Sequence, residues 1–225
     1  MISNKPQIAI SLRIVKAENY DETRDALSHD WPKLLEELGL VPIYIPNKLS
    51  DIMKYLSNFQ INGLILSGGD NLGKDPERDD TEKELLQHAI SKKIPTLGIC
   101  RGLQLINEHF GGSLTKNQTN SHIGKNHELD VVDEKFRKIL NCKKIITNSF
   151  HKNTILNSDL SKYLRPIAIH TVDKTVEAAF HETLPIVGLM WHPERNSDKF
   201  DKQIISSIFK KTVFQNNNSN FRFCI

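Results

Sequence analysis

Apolar residues along the first half of the chain fall into short runs and helical stripes that alternate. Residues 7–12 (QIAISL), 41–45, 63–66 and 95–99 are apolar runs of strand length. Stripes at helical spacing lie between them. Trp31, Leu34, Leu35 and Leu38 share one face between Asp30 and Gly39. Ile52, Tyr55, Leu56 and Phe59 follow Ser50. Leu85, Leu86, Ala89 and Ile90 belong to a stretch that begins at Asp80 and ends at Lys92, and Leu103, Leu105, Ile106 and Phe110 belong to residues 102–110. Asp30 and Ser50 are residue types that cap a helix by accepting a free N–H of its first turn. The alternation predicts βαβ units on a parallel sheet.

The pattern changes after Gly111-Gly112. Residues 127–132, 144–147, 167–172, 176–180 and 186–191 read as strands with few helices between them, which adds antiparallel hairpins to the core. Residues 198–211 read as a closing amphipathic helix carrying Phe200, Ile204, Ile205, Ile208 and Phe209. The stretch from Val213 holds Asn216, Asn217, Asn218, Ser219 and Asn220 and reads as a tail, frayed or docked through Phe221 and Phe223. The expected organisation is one α/β domain over residues 1–212 and a tail over 213–225.

Composition narrows the class. With 225 residues, 25% of them charged and 38% hydrophobic, the chain has the make-up of a globular protein. Disorder, collagen, coiled coil and membrane spans are poor readings, and no membrane partner is expected. The net charge is +3 and the charges are mixed along the chain, so nucleic-acid binding has no support. No secretory leader is visible. Cys100, Cys142 and Cys224 are too few and too scattered for a disulfide framework, and no CxxC or Cys/His ligand cluster appears. A cytoplasmic setting and no metal or other cofactor are the expectations.

One of these cysteines stands apart. Gly98-Ile99-Cys100-Arg101-Gly102 has the form G-x-C-x-G where a strand meets a helix, the cysteine version of a nucleophile elbow. Such a turn strains the nucleophile's backbone, so small neighbours avoid clashes. The free N–H groups of the helix start favour a thiolate and can hold an oxyanion. A cysteine nucleophile needs a base. Of nine histidines, His29, His88, His109, His170 and His181 read as surface or satisfied core residues. His192 ends a strong strand and precedes Pro193 and Glu194, and positions i and i+2 of an extended segment point the same way. Glu194 can then orient the imidazole, as the third member of a triad does. Gly68-Gly69, after another strand, can form an anion-binding nest of backbone N–H groups; its surroundings match neither a P-loop nor a dinucleotide fingerprint.

Taken in order, Leu66-Ser67-Gly68-Gly69, Gly98-Ile99-Cys100-Arg101-Gly102-Leu103-Gln104, Asn148-Ser149-Phe150-His151 and Trp191-His192-Pro193-Glu194 make the chain resemble class I glutamine amidotransferase-like proteins, in particular the stand-alone γ-glutamyl hydrolase (peptidase C26-like) branch. The resemblance spans about residues 7–211. It implies a flavodoxin-like, mostly parallel sheet flanked by helices, with added antiparallel strands in the C-terminal half. It also implies Cys100 as nucleophile, His192 as base and acid, and Glu194 as orienting carboxylate. The backbone N–H groups of Gly69 and Arg101 would form the oxyanion hole. Gly68, Gln104, Ser149, Phe150 and His151 match positions that hold the glutamyl head group. The Arg101 guanidinium is expected to face the substrate's acidic parts. Glu177 matches a recurring element. Ser67 stands where many relatives have Pro, which bears on the loop's rigidity.

The activity so implied is hydrolysis of a small γ-glutamyl compound through a thioester, releasing glutamate. The substrate would be a γ-glutamyl nucleotide phosphoramidate of capsule assembly or, alternatively, a γ-glutamyl polyamine or γ-aminobutyrate amide. A glutaminase subunit feeding a separate synthetase is a second reading, and a silent binding protein on the same fold a third. A monomer or homodimer is expected.

Overall fold

The computed structural model describes residues 5–116, 122–195, 197–210, 214–217 and 220–223, the last two by their backbone alone. The chain opens with β1 (Gln7–Ser11) and a hairpin of β2 (Arg13–Lys16) and β3 (Thr23–Ala26). It then alternates through α1 (Asp30–Glu37), β4 (Val41–Ile45), α2 (Ile52–Leu56), β5 (Ile61–Leu66), α3 (Pro76–Lys92), β6 (Thr96–Ile99) and α4 (Arg101–His109). The second half adds β7 (Thr115–Lys116), β8 (Ile123–Val131), α5 (Glu134–Leu140), β9 (Lys144–Phe150), β10 (Asn153–Thr154), β11 (Leu164–His170), β12 (Val176–His181), β13 (Ile186–Leu189) and α6 (Lys199–Phe209). In the segment expected as a tail, β14 (Phe214–Asn217) and β15 (Asn220–Phe223) pair as an antiparallel ribbon. The Phe221 and Phe223 rings and Cys224 lie outside what the structure describes.

Nine strands form one sheet in the order β4-β1-β5-β6-β13-β12-β11-β8-β9. Every pair from β4 to β13 is parallel. Every pair from β13 to β9 is antiparallel. Counted by appearance, the parallel strands run 2-1-3-4-5, the flavodoxin-like order that the sequence predicted, with ligands expected at the carboxyl ends of the strands. Successive side chains of a strand point to opposite faces. Ile8 and Ile10 therefore join an apolar layer with Trp31, Leu35, Ile205 and Ile208 from α1 and α6. Ala9 points the other way, into a layer with Ile52, Leu86, Leu103 and Ile106 from α2, α3 and α4. Among the described residues no helix is long and apolar enough to cross a membrane.

Several element boundaries differ from expectation for identifiable reasons. The third helix begins at Pro76 rather than at Asp80. Its first turns are charged yet buried, because Arg78, Asp79 and Glu82 form ion pairs that hydrophobic spacing does not register. Asp51, not Ser50, caps α2, accepting the Lys54 N–H at 2.7 Å. Asp30 sits inside the first turn of α1, with His29 at the cap position. The β2–β3 hairpin lacks a buried face, which is why its apolar pattern is silent. β11 stops at His170, and Val172, expected in that strand, is exposed in the following turn.

Candidate active site

Cys100 sits between β6 and α4 with φ 51° and ψ −98°, a conformation that costs a non-glycine residue about 1–3 kcal/mol. Packing holds it there. Its N–H donates to the Leu189 carbonyl of β13 at 2.6 Å, and its carbonyl accepts the Gln104 N–H at 3.1 Å. The small residues of the motif are required by close approach: a Cβ at Gly102 would lie 2.2 Å from the Leu66 carbonyl oxygen. Burial pushes the Cys100 thiol up to about 12, helped by the negative charges of Glu194 and Glu177, while the Arg101 N–H pulls the other way. Burial therefore works against the thiolate that the helix start favours.

The Gly68-Gly69 turn follows β5 and is held from below. The buried Arg78 donates from Nη2 to the Ser67 carbonyl at 2.9 Å, to Ser67 Oγ at 3.1 Å and to the Gly68 carbonyl at 2.9 Å. Its Nε donates to Glu82 at 3.0 Å. The Ser67 hydroxyl donates to the Ser11 carbonyl at 2.8 Å, and Ser11 Oγ accepts the Ser67 N–H at 2.9 Å. Serine in place of proline thus anchors the loop to β1 by hydrogen bonds instead of by ring stiffness. Gly69 has φ 136°, a conformation that side chains rarely adopt.

His192 and Glu194 follow β13. His192 Nδ1 donates to Glu194 Oε1 at 2.7 Å, which leaves Nε2 free to take a proton, and both side chains are about 5% exposed. Asn148 of β9 fixes the His192 backbone through two bonds, at 2.8 and 2.9 Å. The Trp191 indole N–H donates to the buried Asp201 of α6 at 2.9 Å. A Cβ placed on Gly68 would lie 2.7 Å from His192 Cε1 and 3.6 Å from Cys100 Cβ, so the two side chains flank the same bare glycine. A cavity of about 280 Å³ reaches Gly68, Gly69 and His192 but not Cys100, and Arg13, Glu194 and Arg195 also line it.

The remaining expected contacts are distributed unevenly. Phe150 is exposed beside His192, with its ring centroid 5.8 Å away and the Arg195 guanidinium over its face at 4.1 Å. Gln104 is buried, with Oε1 3.5 Å from Asn153 Nδ2. Ser149 Oγ is buried and donates to the His122 carbonyl at 2.7 Å. His151 is buried against Glu177, at 3.3 Å. The expectation for the Arg101 guanidinium is corrected: it is buried and ion-paired to Asp79 and Glu82 of α3, away from the cavity. Burial and the neighbouring Arg78 charge lower it only to about 10, so it stays charged at neutral pH. His170, read as unremarkable, bonds Asp173 at 2.8 Å and packs on His122 and His127. His122, His127 and His151 gather around Glu177 from separate segments, so no local spacing marks them.

On this fold the cysteine of the turn after β6 lies across Gly68 from the His192–Glu194 pair. Residues 6–194 match the Peptidase C26 family model, and the chain belongs to that family. It is 34% identical over 211 residues to the γ-glutamyl-CDP-amidate hydrolase of Campylobacter jejuni, covering 90% of this chain and 96% of that one. It is 26% identical to a glutamine-hydrolyzing GMP synthase subunit of Methanocaldococcus jannaschii, covering 81% and 90%. The crystal structure of a glutamine amidotransferase from Thermotoga maritima superposes with a TM-score of 0.64 at 18% identity, covering 90% and 82%, which shows the shared fold.

Proposed function

We propose that this protein hydrolyses the γ-glutamyl amide bond of a small γ-glutamyl compound by a Cys100–His192–Glu194 mechanism. The observation that carries this reading is the placement of His192, oriented by Glu194 at 2.7 Å, and Cys100 on either side of Gly68. Because burial works against the Cys100 thiolate, the thiol proton passes to His192 Nε2 as the sulfur attacks the γ-carbonyl carbon. The C–S bond forms, and the carbonyl oxygen takes the negative charge against the N–H groups of Gly69 and Arg101. The imidazolium gives its proton to the leaving nitrogen as the C–N bond breaks. Water, deprotonated by His192, then attacks the thioester; the C–S bond breaks, glutamate leaves and the thiol regains its proton.

The favoured leaving group is a nucleotide phosphoramidate, with a place in capsule assembly as the resemblance implies. Two observations support it: the similarity to the Campylobacter jejuni hydrolase, and the presence among the cavity's lining residues of Arg13, paired to Asp70, and Arg195, stacked on Phe150, a residue type that suits phosphate. On this reading the protein works alone, as a monomer or homodimer in the cytoplasm. The glutaminase-subunit reading draws on the similarity to the Methanocaldococcus jannaschii GMP synthase subunit. A panel of glutamine, γ-glutamyl amines and a γ-glutamyl phosphoramidate, compared by kcat/KM, decides between them. The phosphoramidate is expected to lead, and Cys100→Ala to abolish glutamate release with the fold intact. Undiminished turnover by Cys100→Ala overturns the mechanism. A preference for glutamine that rises on adding a synthetase overturns the substrate.

A further inference from the structure

A second polar cluster lies behind the candidate active site. His122 precedes β8, His127 lies on it, His151 follows β9 and Glu177 lies on β12. All four are buried. His151 Nε2 and His127 Nε2 lie 3.3 and 3.5 Å from Glu177 Oε2, and His122 Nδ1 lies 3.6 Å from Glu177 Oε1. The side-chain atoms His122 Nδ1, His127 Nε2, His151 Nε2 and Glu177 Oε2 are all buried without a hydrogen-bond partner. Buried polar groups are seldom left so.

The geometry points to a metal site: His122, His151 and Glu177 close on one divalent transition-metal ion of the zinc class, with water as the fourth ligand. Tetrahedral bonds of about 2.0–2.1 Å set neighbouring ligand atoms about 3.3–3.4 Å apart. The separations from Glu177 fall close to that value, and the donor atoms of His122, His151 and Glu177 all lie within 4.8 Å of one another. Two imidazoles and a carboxylate are a donor set that suits zinc.

The outer contacts select the required tautomers. His122 Nε2 donates to Asp173 Oδ2 at 2.7 Å, and His151 Nδ1 donates to the Asn153 carbonyl at 2.9 Å. In the neutral rings, His122 Nδ1 and His151 Nε2 therefore carry lone pairs that face a carboxylate, an arrangement that repels until a cation sits between. Metal-bound histidines characteristically donate their other N–H to a carboxylate or a backbone carbonyl. The ion would tie β8, β9 and β12 together as a structural clasp, outside the hydrolytic steps.

The test is a titration of cobalt(II), then zinc(II), into the untagged, chelator-treated full chain. The expected result is one cobalt per chain with the intense visible ligand-field bands of a tetrahedral site, discharged by zinc. Affinity should fall about a hundredfold or more in His122→Asn and Glu177→Gln, about tenfold to a hundredfold in Asp173→Asn, and stay unchanged in His88→Gln. Circular dichroism confirms that each variant is folded, and His151→Gln replaces one that is not. A wild-type chain with no tetrahedral band overturns the proposal whatever the variants do, as does a band that survives in both ligand variants. A proton shared between Glu177 and a histidine would relieve the same repulsion and give no band.

Discussion

Asn148 grips the backbone of His192 from both sides, its amide donating to the His192 carbonyl and accepting the His192 N–H. The bridge joins β9, at the far edge of the sheet, to the loop that carries the imidazole. Asn148→Ala is expected to lower kcat by about tenfold to a hundredfold with little change in KM, because misplacement of a catalytic group by about 1 Å has that effect. Steady-state kinetics on the best substrate checks it; an unchanged kcat would show that the β13 turn positions His192 unaided.

The buried thiol makes a second prediction. With Cys100 pushed up to about 12, alkylation by iodoacetamide in a Cys142→Ser, Cys224→Ser background should be slow near neutrality. The rate should keep rising with pH well past the ordinary thiol range of about 8.5. A plateau reached by about pH 7 would reveal a preformed thiolate–imidazolium pair instead.

Gly68 carries no side chain because His192 occupies that space. Gly68→Ala would put a methyl carbon 2.7 Å from His192 Cε1. A kcat loss of about a hundredfold is expected from the displaced ring. The stability cost should stay within the usual overpacking range of about 1–3 kcal/mol. Denaturant melts and kinetics on the same sample separate the two effects.

Asp201 links pH to stability. Burial raises its carboxyl to about 7, against the hydrogen bond from Trp191. In an unfolded chain the same group titrates near about 4. Between those values the folded state holds more protons than the unfolded one, so this group's contribution to stability falls as pH rises from about 4 to about 7. Asp201→Asn keeps an oxygen for the indole and removes the charge. It should raise Tm by about 2–4 °C or more at pH 8, and change little at pH 4. An equal shift at both pH values would rule out the buried charge as the cause.

The parts of the site legible in the sequence are those whose constraints are local. Gly98, Cys100 and Gly102 lie within one strand-to-helix turn, so their spacing alone reveals the close approach that the structure displays. His192 and Glu194 are two positions apart for a similar reason. Arg101 is misleading because its side chain answers to Asp79 and Glu82 on α3, and no periodicity couples those residues. The same ion pairs bury the polar start of α3 and hide it from a hydrophobic stripe. The histidines around Glu177 converge only after β8, β9 and β12 take their places, so each one read singly is unremarkable.

β13 is the last strand to join the nine-stranded sheet, yet it occupies its middle, with Thr96 of β6 paired to Ile186. A growing chain must therefore keep a place open beside β6 while the antiparallel half is synthesised. The Cys100 N–H has no Leu189 carbonyl to meet until then, and His192 emerges after that strand. Cys100 and His192 thus come together only after the antiparallel half has been made, and such long-range pairing closes slowly. Until β13 arrives, the exposed edge of β6 is the point at which a stalled or truncated chain would stick to another.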